Sequence, residues 1–170
     1  VSGVNSQYRS HDGRLLINTL AKEEVGLFLN TLQQYHAHIV RQEGTALPRF
    51  LALFRIGVKD SKVPTYMLVQ RSVLSSIHET HAIYDLKGST FGREASAAGG
   101  AAAEEMVPTY KDNDFREQVG AIRLPPETRA ALLETVRADA ELLNSLNVMD
   151  YRLLVAVHEY GDAPPEMDTR

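Results

Sequence analysis

One short segment of the sequence, IYDLKGSTFGREAS from Ile83 to Ser96, concentrates groups that phosphate chemistry requires. Alternate side chains of a strand share a face, so Asp85 and Lys87 are expected on one side before the strand ends at Gly88. Hydroxyls and backbone amides follow, and Arg93 can donate two parallel hydrogen bonds to a phosphate. The segment thus has the amides, cations and glycines of a phosphate-handling loop. Its residue types alone favour a plainer interpretation, a surface turn in which Asp85 pairs with Lys87 or Arg93.

Asp150 is a second candidate for chemistry, because it is a single carboxylate among apolar residues in NVMDYRLL, Asn147 to Leu154. A carboxylate at the point where a helix gives way to a strand commonly accepts hydrogen bonds from backbone amides. It can instead face a cleft and act as a general base or bind a metal ion. The position of Asp150 in the sequence leaves both interpretations open.

No residue of the sequence is assigned as a metal ligand. The segment HETH, from His78 to His81, lacks the i, i+4 histidine spacing of a zinc-binding helix. The stretch YKDNDF contains Asp112 and Asp114 but lacks the glycine and the distant glutamate of a calcium loop. We therefore interpret these two aspartates as part of a solvated acidic loop.

Several elements must position these residues. A strand over Gly13–Leu20 follows a turn signal and is expected to be entered from a hairpin. Apolar residues at steps of three and four predict one helix over Lys22–Glu43 and another from Pro125 to about Asn147. The second helix is expected to line one face with apolar side chains, which are Leu132, Leu133, Val136, Ala140 and Leu143. Four more strands are predicted, over Arg49–Val58, Thr65–Val73, Thr80–Leu86 and, as a buried central strand, Tyr151–Tyr160.

The connecting segments complete the predicted architecture. Residues from about 95 to 108 are rich in alanine and glycine and are expected to form a flexible loop. The stretch from Pro108 to Glu127 is expected to be loop-like as well. Consecutive strands with helices on either side in sequence predict an α+β fold, with an antiparallel sheet and flanking helices.

Composition narrows the classes of function. The chain has 170 residues, 44% of them hydrophobic, which suits one domain with a globular core. The formal net charge of −4 argues against a free-standing nucleic-acid binder, and no apolar run approaches the ~20 residues that span a bilayer. The absence of cysteine excludes a disulfide framework and a thiolate metal site. From the two ends of the sequence we expect a fragment of a longer protein.

The segment YDLKGSTFGREAS resembles the DLKGSTxxR signature of the phosphatidylinositol phosphate kinases. Four further stretches resemble this family in the same order, namely LPRFLALFRI, YMLVQRSV, PTYKDNDF and MDYRLLVAVHE. The resemblance extends from about Gly13 to Glu159, and REAS and KDNDF favour the type II branch, the 5-phosphate 4-kinases. It implies a protein-kinase-like lipid kinase fold of the SAICAR-synthase-like type, in which residues 1–170 are an incomplete part of one catalytic domain.

The resemblance implies that the ATP γ-phosphate is transferred to an inositol hydroxyl of a phosphoinositide, with Mg²⁺ as the accompanying ion. Asp150 would be the catalytic aspartate. Asp85 and Arg93 would work together beside the substrate phosphate, where Lys87 would add positive charge.

At the positions where the family binds the nucleotide, this sequence departs from the family pattern. Arg71, Ser72 and Val73 would line the adenine pocket, with the Val73 backbone as the hinge contact. Asn18 stands where the family has a lysine that holds ATP phosphates, and Ile83 stands where it has a basic residue near the nucleotide. These departures motivate a second hypothesis, a degenerate kinase-like domain that binds phosphoinositides or partners without phosphotransfer. We expect the isolated 170-residue chain to be inactive.

Partners and location follow from the same resemblance. It implies a phosphoinositide lipid and a membrane surface as partners, and a cytoplasmic protein that is peripheral at membranes. Pairing into a homodimer is a further interaction that the resemblance allows, and no nucleic acid is expected.

Overall fold

The computed structural model describes residues 6–57, 63–75, 78–95 and 107–159. In chain order the elements are β1 (Gln7–Arg9), β2 (Leu15–Leu20), α1 (Lys22–Arg41), β3 (Phe50–Ile56), β4 (Thr65–Arg71), β5 (Ala82–Leu86), β6 (Thr109–Tyr110), α2 (Asp112–Gln118), α3 (Pro126–Ser145) and β7 (Leu153–Val157). They belong to two compact units, the first formed by Val1–Ser75 and Leu124–Met149 and the second by Ser76–Arg123 and Asp150–Arg170. The predicted α+β class is confirmed.

The first unit contains a four-stranded antiparallel sheet in the order β1-β2-β4-β3. The expected hairpin before Leu15 is present, because β1 pairs with β2. Its turn is closed by the Gly13 N–H, which donates to the Ser10 carbonyl at 2.8 Å, and Gly13 has a φ of 68°. The turn-forming Asp12-Gly13 dipeptide thus sets the register of the strand that carries Asn18.

Helix α1 packs its aromatic face on the start of β3. Phe28 and Tyr35 lie against Phe50, with ring centroids 4.9 and 4.8 Å apart. The Tyr35 hydroxyl also donates to the Pro48 carbonyl at 2.7 Å, and burial raises the pKa of Tyr35, with a smaller contribution from the Asp139 charge. The helix begins at the predicted residue and ends two residues earlier than predicted.

Helix α3 is anchored by a buried carboxylate. Asp139 accepts hydrogen bonds from His38 Nε2 at 2.6 Å, Thr45 Oγ1 at 2.7 Å and the Ala46 N–H at 2.8 Å. The prediction of an apolar face was only partly right, because Leu132 and Leu133 are 44% and 53% exposed whereas Asp139 is the residue of α3 that is buried.

A Schellman motif ends α3. The Val148 N–H donates to the Leu143 carbonyl and the Asn147 N–H donates to the Asn144 carbonyl, with Asn147 at a φ of 54°. Asparagine tolerates this left-handed conformation better than most residues, so the helix stops close to the predicted position.

The second unit contains a three-stranded sheet in the order β6-β5-β7. β5 is antiparallel to β7 and parallel to β6. Two expectations were therefore wrong. β5 does not join the sheet of β3 and β4, and β7 lies at a sheet edge, with Leu153, Leu154 and Ala156 exposed. Partners of β5 lie far along the chain, so sequence order did not reveal the pairing.

Helix α2 replaces the loop that was expected after Pro108. Lys111 precedes it, Asp112 and Asp114 supply acidic side chains in its first turn, and Gly120 follows it at a φ of 69°. Tyr84 of β5 packs against Phe115 of α2, with ring centroids 5.3 Å apart. The acidic stretch is therefore a short helix that packs on β5.

Within the described residues no helix is both long and apolar enough to cross a membrane. Most of the predicted flexible loop, residues 96–106, lies outside the described part of the chain.

Candidate functional site

Asp112 is the centre of the hydrogen-bond network in the second unit. Its Oδ1 accepts the backbone N–H groups of Lys87 at 3.0 Å and Gly88 at 2.8 Å, and its Oδ2 accepts Arg93 Nε–H at 2.8 Å. The residue is 7% exposed, so the interpretation of a solvated acidic loop was wrong for Asp112. Burial alone would raise the pKa of this carboxyl, but the hydrogen bonds from Arg93, Gly88 and Lys87 outweigh that effect and lower the pKa. Asp112 therefore faces the loop as a carboxylate.

The guanidinium of Arg93 bridges two aspartates. Its Nε–H donates to Asp112, while Nη2 donates to the Asp85 carbonyl at 2.5 Å and to Asp85 Oδ1 at 3.2 Å. The hydrogen bond with Asp112 makes the largest contribution to the raised pKa of Arg93. Asp85 and Arg93 do pair, as the residue types suggested, but their side chains are only 12% and 13% exposed. Two of the three guanidinium nitrogens are thus used inside the protein.

Arg152 is a second cation on Asp85. Its Nη1 donates to Asp85 Oδ2 at 2.7 Å, and its side chain is half exposed. Asp85 lies in β5 and Arg152 immediately precedes β7, so the antiparallel pairing of the two strands brings them together. Arg152 was absent from the predicted site, because only strand pairing places it there.

Lys87 points its ammonium group at Asp150. The two side chains form a hydrogen-bonded ion pair, with 29% of the Lys87 side chain and 69% of the Asp150 side chain exposed. The hydrogen bond from Lys87, followed by its charge, lowers the pKa of Asp150. Asp150 has a φ of 61° and, within the described residues, bonds to this cation and to no backbone amide. Within the described residues the amide cap is therefore not formed, and the role of Asp150 stays a prediction.

The tip of the loop, residues 88–92, is exposed along its whole length. The Arg93 N–H donates to the Thr90 carbonyl at 3.4 Å across a turn with Gly92 at a φ of 64°. Asn113 holds both sides of this turn, because its Nδ2 donates to the Thr90 carbonyl and its N–H donates to the Arg93 carbonyl. A fixed turn therefore presents the hydroxyls of Ser89 and Thr90 to solvent.

The residues predicted to bind the nucleotide lie in β2, in β5 and at the end of β4. Asn18 lies in β2, and its Oδ1 accepts Gln7 Nε2–H at 2.8 Å across the β1–β2 pair. Ile83 lies in β5 of the second unit and donates its N–H to the Pro108 carbonyl at 3.0 Å. The side chains of Asn18 and Ile83 therefore bring no positive charge to the nucleotide side.

The predicted hinge segment follows β4 in the first unit. Arg71 ends the strand, and the buried Ser72 donates its N–H to the Arg14 carbonyl at 2.9 Å. Val73 is 46% exposed. The structure therefore places a fixed serine between two residues whose side chains reach solvent.

The described residues contain no cluster of three side chains that could hold a metal ion without a ligand. No three histidine, aspartate or glutamate side chains come together among residues 6–57, 63–75, 78–95 and 107–159 in a way that could hold a metal ion. Asp85 and Asp112 are instead neutralised by Arg93 and Arg152. We therefore assign no residue of this part of the chain to a metal.

Sequence reasoning missed Asp112, although the signal was present. The stretch PTYKDNDF resembles a family motif, and without the calcium-loop pattern its aspartates indicate only a solvated acidic loop. Two aspartates at the start of a helix, with a glycine after it, would have predicted a helix N-terminus at Asp112.

Known proteins resemble the chain over nearly all of its length. The family model described as phosphatidylinositol-4-phosphate 5-kinase matches residues 2–170. Phosphatidylinositol 5-phosphate 4-kinase type-2 beta of Rattus norvegicus is 41% identical over 158 residues, which are 92% of this chain and 37% of that protein. The type-2 alpha protein of Sus scrofa is 39% identical over 94% of this chain and 38% of its own length. The type-2 gamma protein of Danio rerio is 37% identical over 92% of this chain and 37% of its own length.

These matches agree with the type II features seen in the sequence, and the chain spans a little over a third of the length of the curated relatives it matches. The match of the family model over residues 2–170 means that this chain belongs to the phosphatidylinositol-4-phosphate 5-kinase family.

Proposed function

We propose that the protein is a phosphatidylinositol phosphate kinase, which transfers the γ-phosphate of ATP to a hydroxyl of an inositol ring. The observation that carries this proposal is the ion pair between Lys87 and Asp150, formed beside a loop that internal aspartates hold in place. An exposed carboxylate next to an exposed cation suits a reaction in which a hydroxyl loses a proton beside a phosphate group.

In the proposed reaction, the hydroxyl oxygen of the inositol ring forms a bond to the γ-phosphorus of ATP. The bond between that phosphorus and the β,γ-bridging oxygen breaks, so ADP leaves with the electron pair. Asp150 orients the hydroxyl and accepts its proton, while Lys87 attracts a phosphate of the lipid headgroup. Asp85 and Arg93 act on the same phosphate-handling loop. Within the described residues Nη1 of Arg93 makes no hydrogen bond, so it is the part of the guanidinium left for a substrate phosphate.

We assign ATP binding to Arg71, Ser72 and Val73 at the end of β4, together with Asn18 and Ile83. The family supports ATP as the phosphate donor, and Mg²⁺ would neutralise the ATP phosphates when it is bound. The names of the type-2 relatives favour a phosphatidylinositol 5-phosphate as the acceptor and the 4-hydroxyl as the attacking group.

The fold and the partners belong to the same proposal. We propose that residues 1–170 are part of one catalytic domain with a protein-kinase-like, SAICAR-synthase-like fold. The antiparallel order β1-β2-β4-β3, with α1 after β2, supports it. The proposed lipid substrate places the protein in the cytoplasm at a membrane surface, and a homodimer is the proposed assembly.

Phosphate transfer tests the proposed function directly. The intact protein is incubated with labelled ATP, Mg²⁺ and vesicles that contain one phosphatidylinositol monophosphate isomer at a time. Label is expected in the lipid, and Asp150→Asn should reduce its rate of appearance about 10²-fold or more. Glu117→Gln, which changes an exposed carboxylate of α2, serves as the control and should leave the rate within twofold. Absence of label with every isomer would exclude a phosphoinositide kinase.

One observation favours the second candidate, a degenerate kinase-like domain that binds phosphoinositides or partners without phosphotransfer. Asn18 is neutral, and its amide is hydrogen-bonded to Gln7. Asn18→Lys decides between the two candidates. A site that lacks only this cation should gain about 10²–10³-fold in transfer rate, since a single electrostatic group contributes about 3–4 kcal/mol to a transition state. Asn18→Met, which has a long neutral side chain, is the matched control, and no gain with lysine would favour the degenerate domain.

A further inference from the structure

We propose that Asp112 is a positioning residue for this reaction, which fixes the backbone from Lys87 to Arg93 so that the Lys87 ammonium is held at Asp150. The inference rests on the proposed function and extends it to a residue of helix α2 that has no direct part in the chemistry. It is carried by the hydrogen bonds of one buried carboxylate to both ends of the loop.

Both oxygens of Asp112 are needed for this arrangement. Oδ1 accepts the successive N–H groups of Lys87 and Gly88, and Oδ2 accepts Arg93 Nε–H. Two successive amides that converge on one oxygen, with Gly88 at a φ of 73°, form an anion-binding concavity. In this protein the anion in that concavity is an internal carboxylate.

Because Asp112 occupies this concavity, fewer hydrogen-bond donors of the loop are left to bind a phosphate. The amides of Lys87 and Gly88 are used by Asp112, and two nitrogens of Arg93 are used by Asp112 and Asp85. The Lys87 side chain, which points at Asp150, remains as the exposed cation of the segment. The loop thus offers a substrate the positioned ammonium group of Lys87 together with the Nη1 side of Arg93, and Asp112 sets the backbone from which the ammonium group extends.

The side chain of Asp112 is too deeply buried to bind a substrate itself. Its side chain is 9% exposed, and its nearest charged partner is the Arg93 guanidinium, which is 13% exposed. Loss of Asp112 should therefore act through Lys87. A displacement of about 1 Å at a positioned group costs on the order of 10²-fold in rate, and the cost should fall on use of the lipid more than on use of ATP.

Helix α2 provides a matched pair of substitutions. In Asp112→Asn one oxygen must become an NH₂ group, which would face either the two backbone N–H groups or the Arg93 N–H. Asp114 accepts both of its backbone N–H groups, from Lys111 and Ala95, on the single oxygen Oδ2. Asp114→Asn can keep both hydrogen bonds, so it alters the same helix turn by the same chemistry without disturbing residues 87 and 88.

The experiment measures two properties of the intact protein for each variant. Amide hydrogen exchange reports whether the N–H groups of Lys87 and Gly88 are still held, and steady-state kinetics give separate kcat and KM values for ATP and for vesicles containing a phosphatidylinositol monophosphate. With Asp112→Asn, exchange at Lys87 and Gly88 should be at least tenfold faster, and kcat/KM for the lipid should fall about 10²-fold. The KM for ATP should stay within threefold, and Asp114→Asn should match the wild type in all three measurements.

Three results would overturn the proposal. The first is unchanged exchange at Lys87 and Gly88 in Asp112→Asn, and the second is faster exchange without a loss of lipid kcat/KM. The third is an equal rise in both KM values that follows a lowered Tm, which would mark a purely structural role. Failure of the proposed function has a separate signature, because the wild type would then transfer no phosphate while the exchange measurement would still decide whether Asp112 holds the loop.

Discussion

The ammonium group of Lys87 donates a hydrogen bond to the carboxylate of Asp150, although the two residues are 63 positions apart in the chain. The backbone at Lys87 is held by Asp112, and Asp150 has a left-handed backbone conformation, so the pair is constrained on both sides. This relationship gives the proposed general base a fixed cationic neighbour. Its chemistry can be examined through the pH dependence of the reaction.

Replacement of Lys87 should move the acidic limb of the pH–rate profile. The hydrogen bond and the charge of Lys87 lower the pKa of Asp150, so the neutral Lys87→Met variant should raise that pKa towards its ordinary value. A base must be deprotonated to act, and the acidic limb of kcat/KM should therefore shift to higher pH. Lys87→Arg keeps the charge and should leave the limb close to that of the wild type. A limb at the same pH in the Met variant would show that the pair does not tune the base.

Asp112 should contribute an acid-sensitive part of the stability. Its pKa in the folded protein is lower than the ordinary value of 3.8, so its stabilisation is complete above the unfolded-state pKa and is lost as the pH falls through the folded-state pKa. Tm measured from about pH 5 to pH 2 should fall more steeply in the wild type than in Asp112→Asn, which has no carboxyl to titrate. Asp114→Asn provides the comparison for a neighbouring aspartate. Parallel curves for the wild type and Asp112→Asn would contradict this assignment.

Asp139→Ala should be severely destabilising. It would leave the buried His38 and the two donors of residues 45 and 46 without their acceptor. The free energy of unfolding should fall by about 3 kcal/mol, because each buried donor left without an acceptor costs about 1–3 kcal/mol. Urea unfolding of the intact protein measures this loss, and Glu141→Ala on the exposed side of α3 should change stability by less than about 0.5 kcal/mol. A loss below about 1 kcal/mol for Asp139→Ala would mean that the cluster is not an anchor.

Gly26→Ala and Gly88→Ala should change the free energy of unfolding in opposite directions. An added Cβ meets no atom within 4 Å at Gly26 or at Gly88, so any effect of the added methyl group arises from the backbone. Gly26 lies inside α1, where alanine should stabilise by about 1 kcal/mol. Gly88 has a φ of 73°, where alanine should destabilise by about 1 kcal/mol. Chemical denaturation of the two variants checks the signs, and stabilisation by Gly88→Ala would refute a strained conformation at that residue.

The local elements could be predicted from the sequence wherever spacing and end signals agreed. The steps of three and four from Val25 to Val40 predicted α1, and the proline pair predicted the start of α3 at Pro125, one residue before its observed start. Helix α2 has seven residues and too few apolar positions for a clear period, so its acidic first turn was read as a loop.

The candidate site could be predicted only in part, because some of its residues are brought together from distant parts of the chain. The family motifs indicated roles for Asp85, Lys87, Arg93 and Asp150. In the structure Lys87 is hydrogen-bonded to Asp150 and Arg93 to Asp85, and both Lys87 and Arg93 are hydrogen-bonded to Asp112. The contribution of Arg152 depends on the pairing of β5 with β7, and that of Asp112 on the packing of α2 against β5. Neither arrangement leaves a periodic pattern in the sequence.

The long separation between Asp85 and Arg152 has a consequence for synthesis on the ribosome. β5 is translated 67 residues before the arginine that completes its ion pairs, and its central position in the sheet requires β7 as well. At about 5–20 residues per second, the nascent chain holds an incomplete sheet for several seconds. During that interval one edge of β5 is open to pairing with other chains, so the nascent second unit is exposed to aggregation until β7 has been made.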